Sequence, residues 1–436
     1  MVVSPIEEDM RPKLADIENA FQPAREINAA DRFAGRREAV NDAYYALIGE
    51  GTNIAIVGNR GIGKTSLARQ ITSIASGEVE LLDRLGITHD RPLDFLTVYF
   101  ACGTTVKDTN DLLQRLLTTS SCLGDWIYDV PRAKKEIETY SPELSAKILG
   151  IGAKLGGEKS TTTESTAAVE SHTIDTVFTN VCHALVEERV AIDGVLIVID
   201  EFDQVQNPVG MAGLLKSLAT NVRNVRFCLV GVARDIQNLM REHESTDRLF
   251  AGSIVHLPPM SEDELSEIVR IAEASIDNKI RFSESATNRL TRLAQGHPYM
   301  VHLVGKYALR TAFQKDIVDI PAEAIDEALR SIAERGADPV LEGRYKKAVR
   351  SSPQREIVLR ALAKVRGADG ECWTTDAYKI ALDEGVDNSS QYVGQLVTDE
   401  YGAELEKVRD RYYRFKDSLF AAYALARPKQ LSGQVG

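Results

Sequence analysis

Five short apolar runs stand out in the first 260 residues, and each contains about five residues, mostly Val, Ile, Leu and Phe. Apolar residues fill most positions of each run rather than alternating with polar ones, which is typical of strands covered on both faces of a parallel sheet. Helical patterns separate most of them, so the sequence predicts a three-layer α/β core. The predicted strands cover residues 53–57, 95–100, 195–199, 227–230 and 254–257.

From Ser261 onward the pattern changes from strands to helices. Ser261 and Glu264 form an S-x-x-E capping box, which predicts that a helix begins there. No strand signal interrupts residues 261–335. The sequence therefore predicts an α/β core over residues 1–258 and a helical lid over residues 259–340.

The C-terminal part of the chain has its own pattern after a break at Ser351, Ser352 and Pro353. Three helices followed by a two-strand hairpin form the order of a winged helix, which is a variant of the helix-turn-helix. We therefore predict a winged-helix domain with a short C-terminal tail over residues 341–436. The predicted helices cover residues 354–365, 375–382 and 389–397, and the strands cover residues 405–408 and 412–415.

A stretch of different composition interrupts the predicted core at about residues 150–174. It is rich in Gly, Ser and Thr and has few large apolar residues, so we predict a flexible insertion. Two interpretations of this insertion are open: a surface loop without chemistry, and a loop that binds a regulator or partner.

Composition and charge narrow the class of protein. The chain has 436 residues, 44% hydrophobic and 27% charged, which indicates a folded protein of about three domains. Its formal charge of −12 disfavours non-specific nucleic-acid binding, so DNA contact would need a local basic patch. The five cysteines are scattered and never spaced as CxxC, which argues against zinc and disulfide frameworks. Because the sequence shows neither a long apolar run nor a secretory pattern, we expect a cytoplasmic protein without membrane contact.

Residues 58–65 read GNRGIGKT, which matches the phosphate-binding pattern G-x-x-x-x-G-K-[ST] between a predicted strand and a predicted helix. Glycines let consecutive backbone N–H groups face a phosphate, and the dipole of the following helix attracts the same anion. Lys64 would neutralise the β- and γ-phosphates, and Thr65 would offer its hydroxyl to Mg²⁺. The predicted nucleotide-binding residues of this loop are Gly58, Asn59, Arg60, Gly61, Ile62, Gly63, Lys64, Thr65 and Ser66.

A second acidic site follows the apolar run at residues 195–199, where Asp200 and Glu201 come next in the chain. A carboxylate at the end of a buried strand costs free energy unless a cation compensates it. Mg²⁺, held by Asp200 through water beside Thr65, would provide that compensation. Glu201 would then orient and deprotonate the attacking water, which favours hydrolysis over phosphoryl transfer to a second substrate.

Together these motifs resemble those of the AAA+ and signal-transduction (STAND) ATPases of the origin-recognition-like branch. The similar segments are FAGRRE at residues 33–38, the loop GNRGIGKT, VLIVIDEFDQV at residues 195–205, and Gly296-His297-Pro298 in the lid. With the predicted winged helix, the resemblance covers about residues 30–425. It implies that the ligands are ATP and Mg²⁺ and that the protein is a slow ATPase.

The resemblance also implies roles for single residues. Phe33 would lie near the adenine, and Pro298 would place the lid against the nucleotide. Arg234 follows a predicted strand, as does the arginine that senses the γ-phosphate in STAND proteins. Arg248 stands where AAA+ proteins carry the arginine finger that reaches a neighbouring subunit. Both arginines also fit ordinary surface positions, so their part in catalysis stays open.

Two departures from the AAA+ pattern bear on the mechanism. Gly231, Val232 and Ala233 stand where a polar sensor residue is usual, and the lid has GHP in place of G-x-x-R. Both omissions favour a slow nucleotide switch over a motor. His297 in this turn is expected to be a packed structural residue without a catalytic part.

Three functions are open at this stage. The first is a signalling switch that self-associates when ATP is bound or recruits an effector or sensor protein, and the resemblance suggests bacterial defence or stress as its setting. The second is a DNA-associated ATPase of origin-recognition or transposition-regulator type. The third, a non-hydrolysing scaffold, is disfavoured by the presence of Glu201.

Binding of duplex DNA would depend on cations in the predicted winged helix. The candidate recognition helix at residues 389–397 contains no Lys or Arg. The predicted hairpin is richer, and its candidate DNA contacts are Lys407, Arg409, Arg411 and Arg414. A solvated charged hairpin is the competing interpretation, because acidic residues lie among these cations.

Overall fold

The computed structural model describes residues 12–140, 173–232, 246–367 and 370–429. Of the predicted insertion at residues 150–174, all but the last two residues lie outside these ranges, and Arg234 lies outside them as well. Within the described ranges, no helix is both long enough and apolar enough to cross a membrane.

The core is built on a five-stranded sheet with the strand order β2-β3-β4-β1-β5. All neighbouring pairs in this sheet are parallel, so the carboxyl ends of the strands meet at one edge. Open α/β sheets bind their ligands at that edge. The strands are β1 Ile54–Gly58, β2 Phe95–Ala101, β3 Gly194–Asp200, β4 Val225–Gly231 and β5 Ile254–Leu257.

Successive residues of the strands enter two different hydrophobic layers. On β1, Ile54 and Ile56 pack into one layer, whereas Ala55 and Val57 pack into the other. Every residue of β3 and β4 is buried, as expected for strands with helices on both faces. The predicted three-layer α/β core with a parallel sheet is confirmed.

The prediction of burial on both faces is wrong for the last strand. On β5, Ile254 and His256 are exposed, whereas Val255 and Leu257 are buried. β5 lies at the edge of the sheet beside β1, and only one of its faces is covered. The run reads IVHL, and a single polar residue in four is too little to establish an alternating pattern.

Helices connect the strands of the core and cover the sheet. Three-residue 3₁₀ helices are present at Ala30–Arg32, Phe202–Gln204 and, in the C-terminal region, Asp399–Tyr401. The α-helices from the N-terminus to β5 are α1 Leu14–Ala20, α2 Arg37–Ile48, α3 Lys64–Ala75, α4 Glu80–Leu85, α5 Thr109–Thr118, α6 Leu123–Asp129, α7 Pro131–Tyr140, α8 Ile174–Glu187, α9 Met211–Asn221 and α10 Thr246–Leu249.

The region after β5 is mostly helical. The capping box is confirmed, because Ser261 and Glu264 each accept a hydrogen bond from the other's backbone N–H. The prediction that no strand interrupts this region is wrong, since β6 Arg281–Phe282 pairs in parallel with β7 Asp319–Ile320. Two residues are too few to give a periodic signal. The helices are α11 Glu262–Ala274, α12 Glu284–Ala294, α13 Pro298–Gln314 and α14 Ala322–Arg335.

The C-terminal region combines helices with a small antiparallel sheet, whose strand order is β8-β10-β9. One continuous hydrophobic cluster extends from the helices after β5 into the last helix, and it includes Ile17 and Phe21 near the N-terminus. The elements are α15 Pro339–Val349, α16 Pro353–Lys364, β8 Glu371–Trp373, α17 Thr374–Asp383, α18 Ser389–Leu396, β9 Leu405–Arg409, β10 Tyr412–Phe415 and α19 Ser418–Ala426.

Candidate functional site

The loop between β1 and α3 makes a tight backbone turn at the carboxyl edge of the sheet. β1 ends at Gly58, and α3 begins at Lys64. Gly61 and Gly63 have φ angles of 70° and 100°, in the left-handed region that favours glycine. Lys64 Nζ donates a hydrogen bond to the carbonyl oxygen of Asn59 over 3.0 Å, so its side chain folds back across the loop.

The acidic pair lies on the same edge, at the end of β3. Asp200 is 3% exposed, and each of its carboxylate oxygens accepts a hydrogen bond. The Tyr99 hydroxyl donates one over 2.6 Å, and the backbone N–H of Glu201 donates the other over 2.8 Å. Only β4 separates β3 from β1, so the acidic pair and the loop belong to one site.

The charges in this site act on one another. Burial lowers the pKa of Lys64, whereas the nearby carboxylates of Asp203, Asp200 and Glu201 act in the opposite direction. Burial and the carboxylates of Asp200 and Asp203 raise the pKa of Glu201, against the effect of Arg60 and Lys64. One ammonium group and three carboxylates therefore share a small volume, which suits a ligand that brings phosphate and a cation together.

A cavity of about 830 Å³ opens over the loop and the acidic pair, which is a typical size for a small-molecule site. Its walls come from the loop, the end of β3, the segment before α2 and helix α13. Gly58 and Asn59 lie at the start of the loop and do not line it. The predicted residues that do line it are Phe33, Arg60, Gly61, Ile62, Gly63, Lys64, Thr65, Ser66, Asp200, Glu201 and Pro298.

Of the two arginines with predicted catalytic roles, only Arg248 lies within the described residues, and it does not join this group. Arg248 is exposed on α10 and does not line the cavity. Arg234 lies outside the described residues. A finger role for Arg248 would therefore require a second copy of the chain.

Sequence reasoning missed one wall of the cavity, which residues 22–27 form. The backbone N–H of Ile27 donates a hydrogen bond to Ser66 Oγ over 3.0 Å. Gln70 Nε2 donates to the carbonyl oxygens of Ile27 and Asn28 over 3.1 and 2.8 Å. Helix α3 thus holds this wall beside the phosphate loop. The segment reads QPAREI, and its only sequence clue is that it precedes FAGRRE.

Arg36 joins three parts of the site from a buried position. Its guanidinium donates hydrogen bonds to the carbonyl oxygens of Pro258, at the end of β5, and Ile62, in the loop, over 2.6 and 3.0 Å. Its backbone N–H donates to Glu264 Oε1 on α11 over 2.7 Å. The segment predicted to lie near the adenine therefore also fixes the loop to helix α11.

Helix α13 closes the cavity on the lid side. Pro298, Tyr299 and His302 line the cavity, and His302 Nδ1 accepts a hydrogen bond from the backbone N–H of Gln22 over 3.2 Å. His297, just before α13, is 1% exposed and does not line the cavity. Burial lowers the pKa of His297 to about 4, so it is neutral at physiological pH.

The C-terminal region reaches the phosphate loop directly. A methyl group added to Gly61 would lie 2.9 Å from Leu419 Cδ2 of α19 and 3.6 Å from Tyr299 Cβ of α13. The Tyr299 hydroxyl donates a hydrogen bond to Asp338 Oδ2, at the start of α15, over 2.6 Å. Arg366 also donates to the backbone carbonyl of Ser418 over 2.9 Å. The loop is therefore covered by side chains from both the lid and the last helix.

The cations of the C-terminal hairpin have partners of their own. Arg409 and Arg414 both form ion pairs with Glu371, over 2.7 and 3.1 Å. Arg411 is exposed and lies 3.9 Å from Asp410, and Lys407 is exposed. Two of the four candidate DNA contacts are thus engaged within the β8-β10-β9 sheet.

A parallel sheet with GNRGIGKT after one strand and an acidic pair after another defines a P-loop NTPase fold. The family model described as Novel STAND NTPase 1 matches residues 20–334. The chain belongs to this family.

Some solved structures are similar to this one, although their sequences are distant. A Walker-type ATPase of Pyrococcus abyssi is 16% identical, with a TM-score of 0.51 over 92% of this chain and 98% of that one. Cdc6p from Pyrobaculum aerophilum is 12% identical, with a TM-score of 0.43 over 94% of this chain and 96% of that one. No curated protein matches the sequence.

Proposed function

We propose that the protein is an ATP-binding and ATP-hydrolysing switch, in which the nucleotide state controls the lid and the C-terminal region. The observation that carries this proposal is the contact between Gly61 of the phosphate loop and Leu419 of the last helix. A ligand that binds the loop differently as ATP and as ADP acts at this contact, and such differential binding is what drives a switch. The working division is a core over residues 1–258, a lid over 259–340 and a C-terminal domain over 341–436.

The residues that line the cavity support binding of ATP with Mg²⁺. The loop from Arg60 to Ser66 would receive the phosphates, with Lys64 as the charge partner, while Phe33 and Pro298 would border the base. Thr65 and Asp200 line the same cavity and offer the oxygen ligands that Mg²⁺ prefers. The described residues hold no group of three or more His, Cys, Asp or Glu side chains able to bind a metal alone. That fits Mg²⁺, which completes its shell with phosphates and water.

Glu201 is the residue proposed to activate water. It lines the cavity next to Asp200, and its raised pKa makes it a better proton acceptor than an ordinary glutamate. Bound Mg²⁺ would supply charge stabilisation of the transferring phosphoryl group. Hydrolysis at this site would be slow, because the chain lacks the polar strand residue and the lid arginine usual in AAA+ proteins, and Arg248 does not reach the cavity.

The partners proposed for the switch are a second copy of the chain and an effector or sensor protein. Exposed Arg248 supports self-association, since it can complete a catalytic site only in another subunit. Arg234 is kept as a candidate γ-phosphate sensor from the sequence alone. A setting in bacterial defence or stress signalling rests on family resemblance.

The alternative function is binding of duplex DNA. The order of elements in the C-terminal region supports this alternative. One helix, a strand, two helices and two strands follow one another from α16 to β10, which is the order of a winged helix. However, Glu371 already pairs with Arg409 and Arg414, so DNA phosphates would have to displace it. Lys407 and Arg411 alone give a small electrostatic contribution. We therefore place protein recruitment ahead of DNA binding.

The test is nucleotide binding and turnover by the full chain. Lys64→Ala should weaken ATP binding by at least about tenfold, because it removes a charged hydrogen-bond donor to phosphate. Lys216→Ala, an exposed lysine on α9, is the matched control and should bind as the wild type does. Equal affinity of both variants would contradict the site. Turnover measured with and without duplex DNA separates the two functions, since stimulation by DNA would favour the alternative.

A further inference from the structure

Tyr99 on β2 is the one side chain that donates a hydrogen bond to the carboxylate of Asp200 in the described part of the chain. β2 and β3 are paired in parallel, and Ala101 stands opposite Asp200 in the register. Tyr99 therefore lies two residues before that position, and its long side chain reaches forward to Asp200 Oδ2 over 2.6 Å. With Glu201 N–H on the other oxygen, the plane of the carboxylate is set by two donors.

The ring of Tyr99 is itself held in place by the phosphate-binding helix. The guanidinium of Arg69 lies over the ring, 3.5 Å from its centroid. Arg69 is four residues after Thr65, so both side chains lie on the same face of α3. Arg69 also pairs with Glu26 over 3.4 Å, and Glu26 belongs to the cavity wall that sequence reasoning missed. A chain of contacts thus links that wall to Asp200.

We propose that Tyr99 is a positioning residue for the metal-binding carboxylate, and that its hydroxyl holds Asp200 in the orientation that Mg²⁺ requires. This inference rests on the proposed function. Tyr99 does not line the cavity, so its hydroxyl acts through Asp200. Arg69 and Glu26 keep the ring in register with α3, so the acidic edge and the phosphate helix are aligned by one set of side chains.

The variant that isolates the hydroxyl is Tyr99→Phe, which keeps the ring and its contact with Arg69. Thr97→Val is the matched control, because it removes a hydroxyl from the same strand that bonds to Ser76 Oγ, 2.9 Å away. A fluorescent ATP analogue is titrated into each full-length protein with Mg²⁺ and with EDTA. Tyr99→Phe should lower the Mg²⁺-dependent gain in affinity by about tenfold and leave affinity in EDTA unchanged, because a hydrogen bond to a charged group is lost. Thr97→Val should match the wild type in both conditions.

Three outcomes would overturn the inference. An unchanged Mg²⁺-dependent gain in Tyr99→Phe would show that Asp200 needs no positioning by the hydroxyl. A larger gain would show that the hydroxyl competes with the metal. A loss of affinity in EDTA as well would indicate general damage to the site. If the wild-type protein binds no nucleotide, the proposed function fails together with the inference. If the wild type binds nucleotide and gains affinity with Mg²⁺, any of the three outcomes contradicts only the role of Tyr99.

Discussion

Replacing Gly61 by alanine tests the contact between the phosphate loop and the last helix. Gly61 has a φ of 70°, and a left-handed backbone costs a non-glycine residue about 1–2 kcal/mol. The added methyl group would also lie 2.9 Å from Leu419 Cδ2. Gly51 provides the matched control, because its φ is 72° and an added methyl group would meet no atom within 4 Å. Gly51→Ala therefore carries the backbone cost alone.

The magnitude of the contact follows from the difference between the two variants. Overpacking costs about 1–3 kcal/mol, and we take the lower end because Leu419 Cδ2 is the end of a side chain that can shift. Gly61→Ala should thus lower the free energy of unfolding by about 1 kcal/mol more than Gly51→Ala does. In a Leu419→Ala background the collision is absent, so Gly61→Ala should cost no more than Gly51→Ala.

The assay is urea unfolding followed by tryptophan fluorescence. The two tryptophans are Trp126, on helix α6 of the α/β region, and Trp373, on β8 of the C-terminal region, and both are partly exposed. Single-tryptophan versions report the two regions separately, as a multidomain chain requires. Strictly additive effects of Gly61→Ala and Leu419→Ala would refute the reasoning, because residues in contact should show a coupling energy above about 0.5 kcal/mol.

Three further predictions concern catalysis, pH and ion pairing. Glu201→Gln should keep ATP binding but lower phosphate release by about 10²–10⁴-fold, since the proposed base is lost. Lowering the pH from about 6.5 to about 4 should reduce the free energy of unfolding by up to about 3 kcal/mol through His297, because the unfolded state binds a proton that the buried residue does not. His297→Gln should flatten that dependence in urea unfolding. Arg344→Met should cost about 3–5 kcal/mol, because it leaves buried Glu404 without its guanidinium, whereas Arg350→Met removes an exposed pair and should cost under about 1 kcal/mol.

Each of these predictions has a result that contradicts it. Unchanged phosphate release in Glu201→Gln would support the non-hydrolysing scaffold or another base. A pH dependence that His297→Gln leaves intact would assign the acid sensitivity to other groups. Equal costs for Arg344→Met and Arg350→Met in urea unfolding would show that burial of Glu404 adds nothing to its ion pair.

The parts of the site that the sequence predicts are those with local signals. The loop from Gly58 to Thr65 can be predicted because its glycine and lysine spacing, the strand before it and the helix after it are adjacent in the sequence. Asp200 and Glu201 are recognised because they end an apolar run. Tyr99 could not be predicted, because its hydrogen bond to Asp200 depends on the register of two strands about a hundred residues apart. The contact of Leu419 with the loop joins residues about 360 positions apart, so neither hydrophobic periodicity nor a sequence motif predicts it.

The N-terminal segment is attached both to the helical region after β5 and to the core. Glu18 on α1 accepts a hydrogen bond from Arg310 of the lid over 2.5 Å, and Phe21 packs into the same hydrophobic cluster. Six residues later, Ile27 is bound to Ser66 of the core. Six residues of extended chain span at most about 20 Å, so residues 21–27 limit the distance between the two regions that they join. Under the proposed switch, a separation of the two regions by more than this length would require α1 to undock or the Ile27 hydrogen bond to break.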